Sequence, residues 1–207
     1  VMKKKLIIVS FVLCFVLIFT SCLDKSIDNT DGQDGTHEYE IGETSGYIVK
    51  NGVTDYSIVI PADSNAVINI AAEELQNFFK EATGIELPII NDSGISYSEN
   101  VKYLSIGDNR LLKSAGITID KEKLGSDGLR ITTKGNSIFM FGGGDYGSLY
   151  SVYEYLHQAL SFEFYFKDCY TLDKNVTELK LMNYNITDIP DISQRPINYG
   201  FIEEDIR

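Results

Sequence analysis

Several residue types are scarce in this 207-residue chain, and each shortage limits the chemistry it can perform. The chain has two histidines, His37 and His157, and their spacing excludes a zinc site of the His-Glu-x-x-His type. Only His157 lies in the predicted folded body, and no Ser-His-Asp constellation can be recognised around it. Tryptophan, the residue most favoured for stacking on ligands, is absent, and the 13 tyrosines and 11 phenylalanines fit a core equally well.

Cysteine is also scarce, and the three cysteines lie in different parts of the chain, where we expect different roles. Cys14 lies in a predicted export signal, Cys22 at its end, and Cys169 alone in the body of the chain. We therefore expect no intramolecular disulfide in the mature chain. Cys169 is expected to be a small apolar packing residue rather than a nucleophile.

Basic residues are outnumbered, with 18 Lys and Arg against 30 Asp and Glu and a formal net charge of −12. Three of the basic residues, Lys3, Lys4 and Lys5, belong to the predicted signal, so the mature chain is more acidic still. An acidic surface repels phosphate groups, which disfavours nucleic acid and anionic lipid as partners.

The first 22 residues have the pattern of an export signal. The three lysines precede an apolar run from Leu6 to Phe19, which is shorter than the about 20 residues that a membrane span needs. The small residue Ser21 before Cys22 makes the segment resemble a bacterial lipoprotein signal, which implies that Cys22 becomes the lipidated first residue. An ordinary signal peptide and an uncleaved anchor are the alternatives. All three interpretations place the rest of the chain outside the cytoplasm. The lipoprotein signal would also anchor it by lipid to a bacterial membrane or cell surface.

Residues 23–44 are rich in Asp and Gly and contain little to bury, which predicts a solvated tether. The acid spacing around Gly32 is partly that of a calcium-binding loop, but Ile27 occupies the position of the first ligand. The tether is therefore the preferred interpretation.

Beyond the tether, the sequence predicts alternating strands and helices. Apolar residues from Ile68 to Ala82 follow a helical period that ends at Gly84, with Asp63, Ser64 or Asn65 as the N-cap. A second helix carries an apolar stripe from Leu149 to Leu160. The predicted strands are Tyr56–Ile60, Leu87–Ile90, Tyr103–Ile106, the hairpin Gly128–Thr133 with Ser137–Phe141, Phe162–Phe166 and Thr177–Leu181. These elements suffice for one independently folding α+β core.

The segment Gly142–Gly147 satisfies G-x-G-x-x-G between a predicted strand and a predicted helix. A dinucleotide fingerprint is one interpretation. However, the preceding strand is the second arm of a hairpin, whereas the fingerprint follows the first strand of a parallel unit. Asp145 would also place a carboxylate near a pyrophosphate. We therefore predict a tight structural turn in which Asp145 caps the second helix.

Other polar residues do not form a recognisable active site. Glu73 and Glu74 are adjacent on a helix and point in different directions, which is typical of a solvated face. His157 is predicted to be a half-buried packing residue. The sequence therefore predicts no catalytic, cofactor-binding or metal-binding residue in this chain, and Cys22 is the single predicted attachment site.

Five segments together resemble the N-terminal domain of bacterial alpha-glucuronidase-like glycoside hydrolases: Ile58–Asp63, Ala71–Ile89, Ile106–Asp108, Ser126–Ile131 and Phe141–Leu156. The same domain type precedes the barrel of family 20 beta-hexosaminidases. The resemblance covers residues 45–183. It implies a mixed β-sheet with two amphipathic helices on one face, similar to the zincin fold but without its metal motif. It also implies an accessory role, with catalysis in a (β/α)8 barrel that follows.

Residues 184–207 are expected to form a linker and the start of that barrel, most of which is missing from this chain. Hexosaminidases carry Arg-Gly at this entry, whereas this sequence has Tyr199-Gly200, and Glu203, Glu204 and Asp205 are not expected to be catalytic. The expected function is that of a non-catalytic domain of a lipid-anchored, polysaccharide-degrading glycoside hydrolase. Its partners would be the barrel, a carbohydrate substrate and, through the lipid, a membrane, with no cofactor and no nucleic acid. The alternative is a surface lipoprotein that binds carbohydrate without catalysis.

Overall fold

The computed structural model describes residues 35–166 and 169–191. Its helices within these residues are α1 (Ala66–Thr83), α2 (Arg110–Ser114), α3 (Lys121–Leu124) and α4 (Asp145–Leu160). Its strands are β1 (His37–Val49), β2 (Ser57–Ile60), β3 (Ile89–Asn91), β4 (Tyr103–Ile106), β5 (Leu129–Lys134), β6 (Ser137–Gly142), β7 (Glu163–Phe166), β8 (Cys169–Thr171) and β9 (Leu179–Asp188). Within this part of the chain, no helix has the combination of length and apolarity needed to span a membrane.

Seven of the strands form one mixed sheet in the order β1-β9-β5-β6-β4-β2-β3. Strands β3, β2, β4 and β6 are mutually parallel, whereas the remaining neighbours are antiparallel pairs: β5 with β6, β9 with β5 and β1 with β9. The predicted α+β class with a mixed sheet is confirmed.

The two long helices share one face of this sheet because each carries an apolar stripe that must be buried. Leu75 and Phe79 of α1 join Leu156 of α4 and sheet residues such as Ile138 and Met140 in the main core. Helix α1 begins and ends as predicted: the Asn65 side chain accepts hydrogen bonds from the N–H groups of Val67 and Ile68, and Gly84 is left-handed at φ 78°.

The opposite face of the sheet carries a smaller core, which sequence periodicity did not predict. Phe139 and Phe141 alternate with Ile138 and Met140 along β6, so their side chains point to the other face. There they pack with Leu111 and Leu112 of the short helix α2 and with Val59 of β2. The long helices therefore lie on one face as expected, and α2 covers part of the other.

Two predicted boundaries are wrong. Strand β1 begins at His37, inside the predicted tether of residues 23–44, and β9 continues to Asp188, past the predicted domain end at residue 183. The early part of β1 is exposed: its apolar residues Tyr39 and Ile41 alternate with glutamates but are at least 40% exposed, and the segment is held by backbone pairing with β9. Residues 1–34, including Cys22 and the rest of the predicted signal, and residues 192–207 lie outside the described part of the chain.

The apolar segment after α4 does form a strand, but it does not join the main sheet. Strand β7 pairs with β8 in a separate two-stranded hairpin. Its aromatic side chains are largely exposed, with Phe164 at 63%, Tyr165 at 60% and Phe166 at 66%. Cys169 lies opposite Phe166 in this hairpin, where its thiol is free and partly exposed.

Candidate functional site

The glycine-rich segment forms a tight turn between β6 and α4. The Ser148 hydroxyl accepts a hydrogen bond from the Gly142 N–H at 3.1 Å and donates one to the Gly144 carbonyl at 3.2 Å. Gly144 is the N-cap of α4 in an extended conformation, and no side chain caps this helix. The prediction that Asp145 caps α4 is therefore wrong: Asp145 is the first helical residue, and its carboxylate accepts a hydrogen bond from the Asn65 amide at 2.6 Å.

Glycine is needed in this turn for close packing rather than for a left-handed conformation, since Gly144 has φ −128°. A Cβ atom at Gly143 would overlap the carbonyl oxygen of Gly125, and one at Gly147 would overlap that of Gly128. A Cβ atom at Gly144 would lie 2.7 Å from the carbonyl oxygen of Ser126. The turn thus packs against residues 125–128, another part of the sequence that carries the family resemblance.

The same contacts argue against a nucleotide fingerprint. The Gly142 N–H donates to Ser148, and the Gly143 N–H donates to the Gly128 carbonyl at 3.1 Å. A phosphate-binding loop instead presents its backbone N–H groups to the ligand. Strand β6 is indeed antiparallel to β5, as the hairpin pattern predicted, although its other neighbour, β4, is parallel to it. The turn is therefore structural.

A polar pocket of about 520 Å³ lies where β2, β3 and β4 end. Asp92, which is 3% exposed, accepts hydrogen bonds from the Ala62 N–H at 2.9 Å and the Arg110 N–H at 2.7 Å. Asp108 lies 3.0 Å from the Lys113 ammonium and 3.4 Å from that of Lys121. Burial alone would raise the pKa of Asp108, but the two lysines outweigh it and lower the pKa. These carboxylates hold loops and helix ends together.

A larger, open groove of about 880 Å³ lies on the helix side of the sheet. We call it the aromatic groove, and its lining is Glu74, Phe78, Leu129, Tyr150, Tyr153, Glu154, His157, Phe162, Glu163, Phe164 and Tyr170. Helices α1 and α4 supply most of one wall, and the β7–β8 hairpin supplies the other. Pockets of this size with aromatic walls are typical of sites that bind a ligand or another protein surface.

The floor of the aromatic groove is a cluster of rings. Phe162 lies at its centre, 4.4 Å from the Phe78 ring and 6.0 Å from the Tyr153 ring, with which it is stacked at 15°. Tyr170 packs edge-on against Phe78 at 5.3 Å. This packing gives the floor a fixed shape, since aromatic pairs at these separations are attractive.

Carboxylates surround this floor. The Tyr153 hydroxyl lies 3.4 Å from Glu74, and burial first, then the Glu74 charge, raises the pKa of Tyr153 to about 12. Tyr153 therefore stays protonated at neutral pH and acts as a donor. His157 lies 3.3 Å from Glu163, and its side chain is 44% exposed, which agrees with the half-buried position that was predicted. The rim thus combines hydrogen-bond acceptors with an apolar floor.

Glu73 and Glu74 were predicted to lie on a solvated face, and no groove was predicted from the sequence. Glu73 is exposed as predicted, whereas Glu74 is partly buried at the groove beside Tyr153. A signal was present: Tyr146, Tyr150 and Tyr153 recur at helical spacing and form a second stripe on α4. Among the described residues, no group of three or more His, Cys, Asp or Glu is arranged to hold a metal ion.

Comparisons with known proteins agree with the resemblance seen in the sequence. Residues 50–155 match the family described as glycosyl hydrolase family 67 N-terminus. The family match covers more than half of the chain and includes almost all of the five resembling segments. No curated protein sequence matches the chain.

Solved structures of glycoside hydrolases show a weaker similarity. The GH20 beta-N-acetylhexosaminidase from Streptomyces coelicolor A3(2) is 14% identical, with a TM-score of 0.49, over 75% of this chain and 26% of that one. The N-acetyl-beta-hexosaminidase of Streptomyces plicatus is 14% identical, with a TM-score of 0.44, over 74% of this chain and 25% of that one. A family GH115 4-O-methyl-alpha-glucuronidase is 13% identical, with a TM-score of 0.39, over 53% of this chain and 14% of that one.

This chain thus spans about a quarter or less of these solved structures. Their similarity is too low to carry an argument about function, so the assignment rests on the family match. By that match, the chain belongs to the glycosyl hydrolase family 67 N-terminus family.

Proposed function

We propose that this chain is the non-catalytic N-terminal domain of an alpha-glucuronidase-like, polysaccharide-degrading glycoside hydrolase. In this proposal it contacts the catalytic (β/α)8 barrel of the same protein through exposed aromatic residues. Membership of the family supports the first part. The observation that supports the second is the aromatic surface on β7 and α4.

We define the aromatic surface as Phe164, Tyr165 and Phe166 of β7 with Tyr146 and Tyr150 of α4. All five are at least 43% exposed. Phe164 and Tyr150 also line the aromatic groove, so the two features are continuous. Contiguous apolar surface is unusual on a protein that is complete in itself, and it typically marks an interaction site. Aromatic residues are enriched in such interfaces because each buries a large area.

The path of the chain favours a domain that follows in the sequence as the partner. Asp188, the last residue of β9, pairs with Leu129 of β5, and Leu129 lines the aromatic groove. The residues after β9 therefore start beside the groove. A domain attached there reaches the aromatic surface without a long linker, and its high effective concentration favours a modest interface.

The test is to produce the 207-residue chain and the barrel that follows it in the parent protein separately and then mix them. Glycoside hydrolysis requires two carboxylates about 5 to 9.5 Å apart across the scissile bond, which we assign to the barrel. We expect the chain alone to hydrolyse no aryl glucuronide, aryl hexosaminide or aldouronic acid above background. We also expect it to bind the barrel, with a dissociation constant raised about tenfold or more in the double variant Phe164→Ser, Phe166→Ser.

Val53→Ser is the matched control, because Val53 is 68% exposed and lies outside the aromatic surface. It is expected to leave binding unchanged. Hydrolysis by the chain alone, abolished by replacing one of its acids, would refute the non-catalytic assignment. Equal binding of the double variant and the wild type would refute the interface while leaving that assignment intact.

A carbohydrate-binding lipoprotein without catalytic activity is the second candidate. The combination of exposed rings, Phe164 and Tyr150, with acceptor carboxylates in the aromatic groove favours it, since sugars offer both C–H faces and hydroxyl donors. Calorimetric titration with neutral and uronate-bearing oligosaccharides separates the two candidates. Binding by the wild type that is lost in Tyr153→Ser, with no affinity for the barrel, would favour this one.

For the location we propose lipid anchoring through Cys22, outside the cytoplasm. The support is the sequence alone, namely the lysines at 3–5, the apolar run Leu6–Phe19 and Ser21 before Cys22. Cys22→Ala is expected to remove lipidation and, where export persists, to release the protein from the membrane fraction. Ser21→Ala, which keeps a small residue before the cysteine, is the control. Equal retention of Cys22→Ala and wild type in that fraction would contradict the anchor.

A further inference from the structure

Both ring nitrogens of His37 face carboxylates. The Nδ1 atom lies 2.8 Å from an oxygen of Asp188, and the Nε2 atom lies 3.4 Å from an oxygen of Asp191. His37 is the first residue of β1 and Asp188 is the last residue of β9. The three side chains therefore meet where one strand begins and its partner ends.

This arrangement suits only one protonation state of the imidazole. A neutral imidazole has a single N–H, so one nitrogen would direct a lone pair at a carboxylate. The imidazolium donates to both carboxylates and carries the opposite charge. Accordingly, the Asp188 charge, followed by the hydrogen bond to Asp191, raises the pKa of His37 above its usual 6.5.

Further hydrogen bonds connect the same two segments. The Gly35 N–H donates to the Asp191 carboxylate at 2.6 Å, and the Ile189 N–H donates to the Thr36 carbonyl at 2.8 Å. On β1, the Tyr39 hydroxyl donates to the other oxygen of Asp188 at 2.9 Å.

Helix α4 adds one more charge near these residues. Burial first, and then Asp188 and Glu154 of α4, raise the pKa of Tyr39, so this phenol stays protonated over the physiological range. Within residues 35–166 and 169–191, the charged and titratable groups that act on His37 are Asp188 and Asp191, with Tyr39 and, through Tyr39, Glu154 beside them. Of these, His37 is the group that changes charge near neutral pH.

We propose that His37, Asp188 and Asp191 form a protonation-dependent clasp that fastens the segment entering β1 to the segment leaving β9. Because binding the carboxylates favours the charged imidazole, the clasp is fully formed below the unfolded pKa of about 6.5 and is lost as the pH rises through the higher folded pKa. Below the folded pKa the imidazolium adds two charged contacts between the segments, and above it these contacts are weakened while the backbone hydrogen bonds of the ladder remain. The clasp rests on contacts within this domain and is independent of the proposed function.

The test is an NMR pH titration of the full chain, with His157→Gln as background so that one imidazole remains. We expect His37 to titrate above 6.5, and Asp188→Asn and Asp191→Asn each to lower that midpoint. Asp191 has a side chain that is 62% exposed, so its replacement is not expected to disturb folding.

Coupling between the segments is measured by the ¹³C chemical shifts of the Thr36 carbonyl and of the Asp188 and Asp191 carboxyl groups. Their chemical shifts are expected to change with the same midpoint as His37 and to lose this step in His37→Gln. A midpoint at or below 6.5, or a Thr36 signal that does not follow His37, would overturn the clasp.

Discussion

Replacing Gly143 by alanine is expected to lower the free energy of unfolding by about 2 kcal/mol or more. The added Cβ would overlap the backbone of Gly125 and lie 2.9 Å from the Leu124 side chain. Gly143 lies between β6, which is inside the sheet, and α4, which is packed on the sheet, and the nearest atom it would meet is a backbone oxygen. The strain therefore cannot be relieved by moving one flexible side chain. Chemical denaturation followed by circular dichroism measures the effect.

Gly42→Ala is the matched control for this substitution. Gly42 lies in β1, and the nearest atom to its added Cβ is the Asn183 Cβ at 3.7 Å, an ordinary contact. We expect a change within about 0.5 kcal/mol at this position, or slight stabilisation, because alanine restricts the unfolded chain. Equal stabilities of Gly143→Ala and Gly42→Ala would show that the turn rearranges to accept a Cβ atom. Close packing would then not be the reason for glycine at position 143.

Replacing Asp92 by alanine is expected to cost about 2 to 4 kcal/mol. Its carboxylate accepts the N–H groups of Ala62, which follows β2, and of Arg110, which starts α2. Hydrogen bonds to a charged acceptor are stronger than neutral ones, and the substitution leaves both donors without their partner and a buried side chain truncated. The loop after β2 and the start of α2 are expected to loosen together, since one side chain holds both.

Asp63→Ala provides the comparison for Asp92. Asp63 lines the same polar pocket but is exposed. Its replacement is expected to change stability by no more than about 0.5 kcal/mol, as at most surface sites. A loss at Asp92 no larger than that at Asp63 would contradict the role assigned to the buried carboxylate.

Local sequence signals predicted the elements whose causes are local. Helix α1 was predicted with its N-cap and its terminal glycine, because the apolar stripe, Asn65 and Gly84 all lie within one segment. The β5–β6 hairpin was predicted for the same reason, since its turn lies between its own arms. Strand β1 was missed because its partner β9 is distant in sequence and its side chains are largely exposed.

The candidate site could be predicted only in part, because it is assembled from distant segments. The aromatic groove combines α1, α4 and the β7–β8 hairpin, and the Tyr170 hydroxyl reaches Glu81 of α1 across 89 residues. The prediction that Asp145 caps α4 was wrong for a similar reason. The Asp145 carboxylate accepts a hydrogen bond from Asn65, 80 residues earlier, rather than from its own helix. Period and capping rules describe one element at a time and contain no information about such pairs.

The pairing of β1 with β9 also bears on how the domain reaches its native state. Tyr39 and Asp188 are 149 residues apart, yet they meet in one ladder, and β5 needs the same late strand as its neighbour. Contacts of such high sequence separation slow folding because a long loop must close before they contribute. During synthesis, the parallel half of the sheet with α1 and α4 can assemble first, while β1 and one edge of β5 remain unpaired until the last strand is available. The time before β9 pairs sets the period in which these exposed strand edges can aggregate.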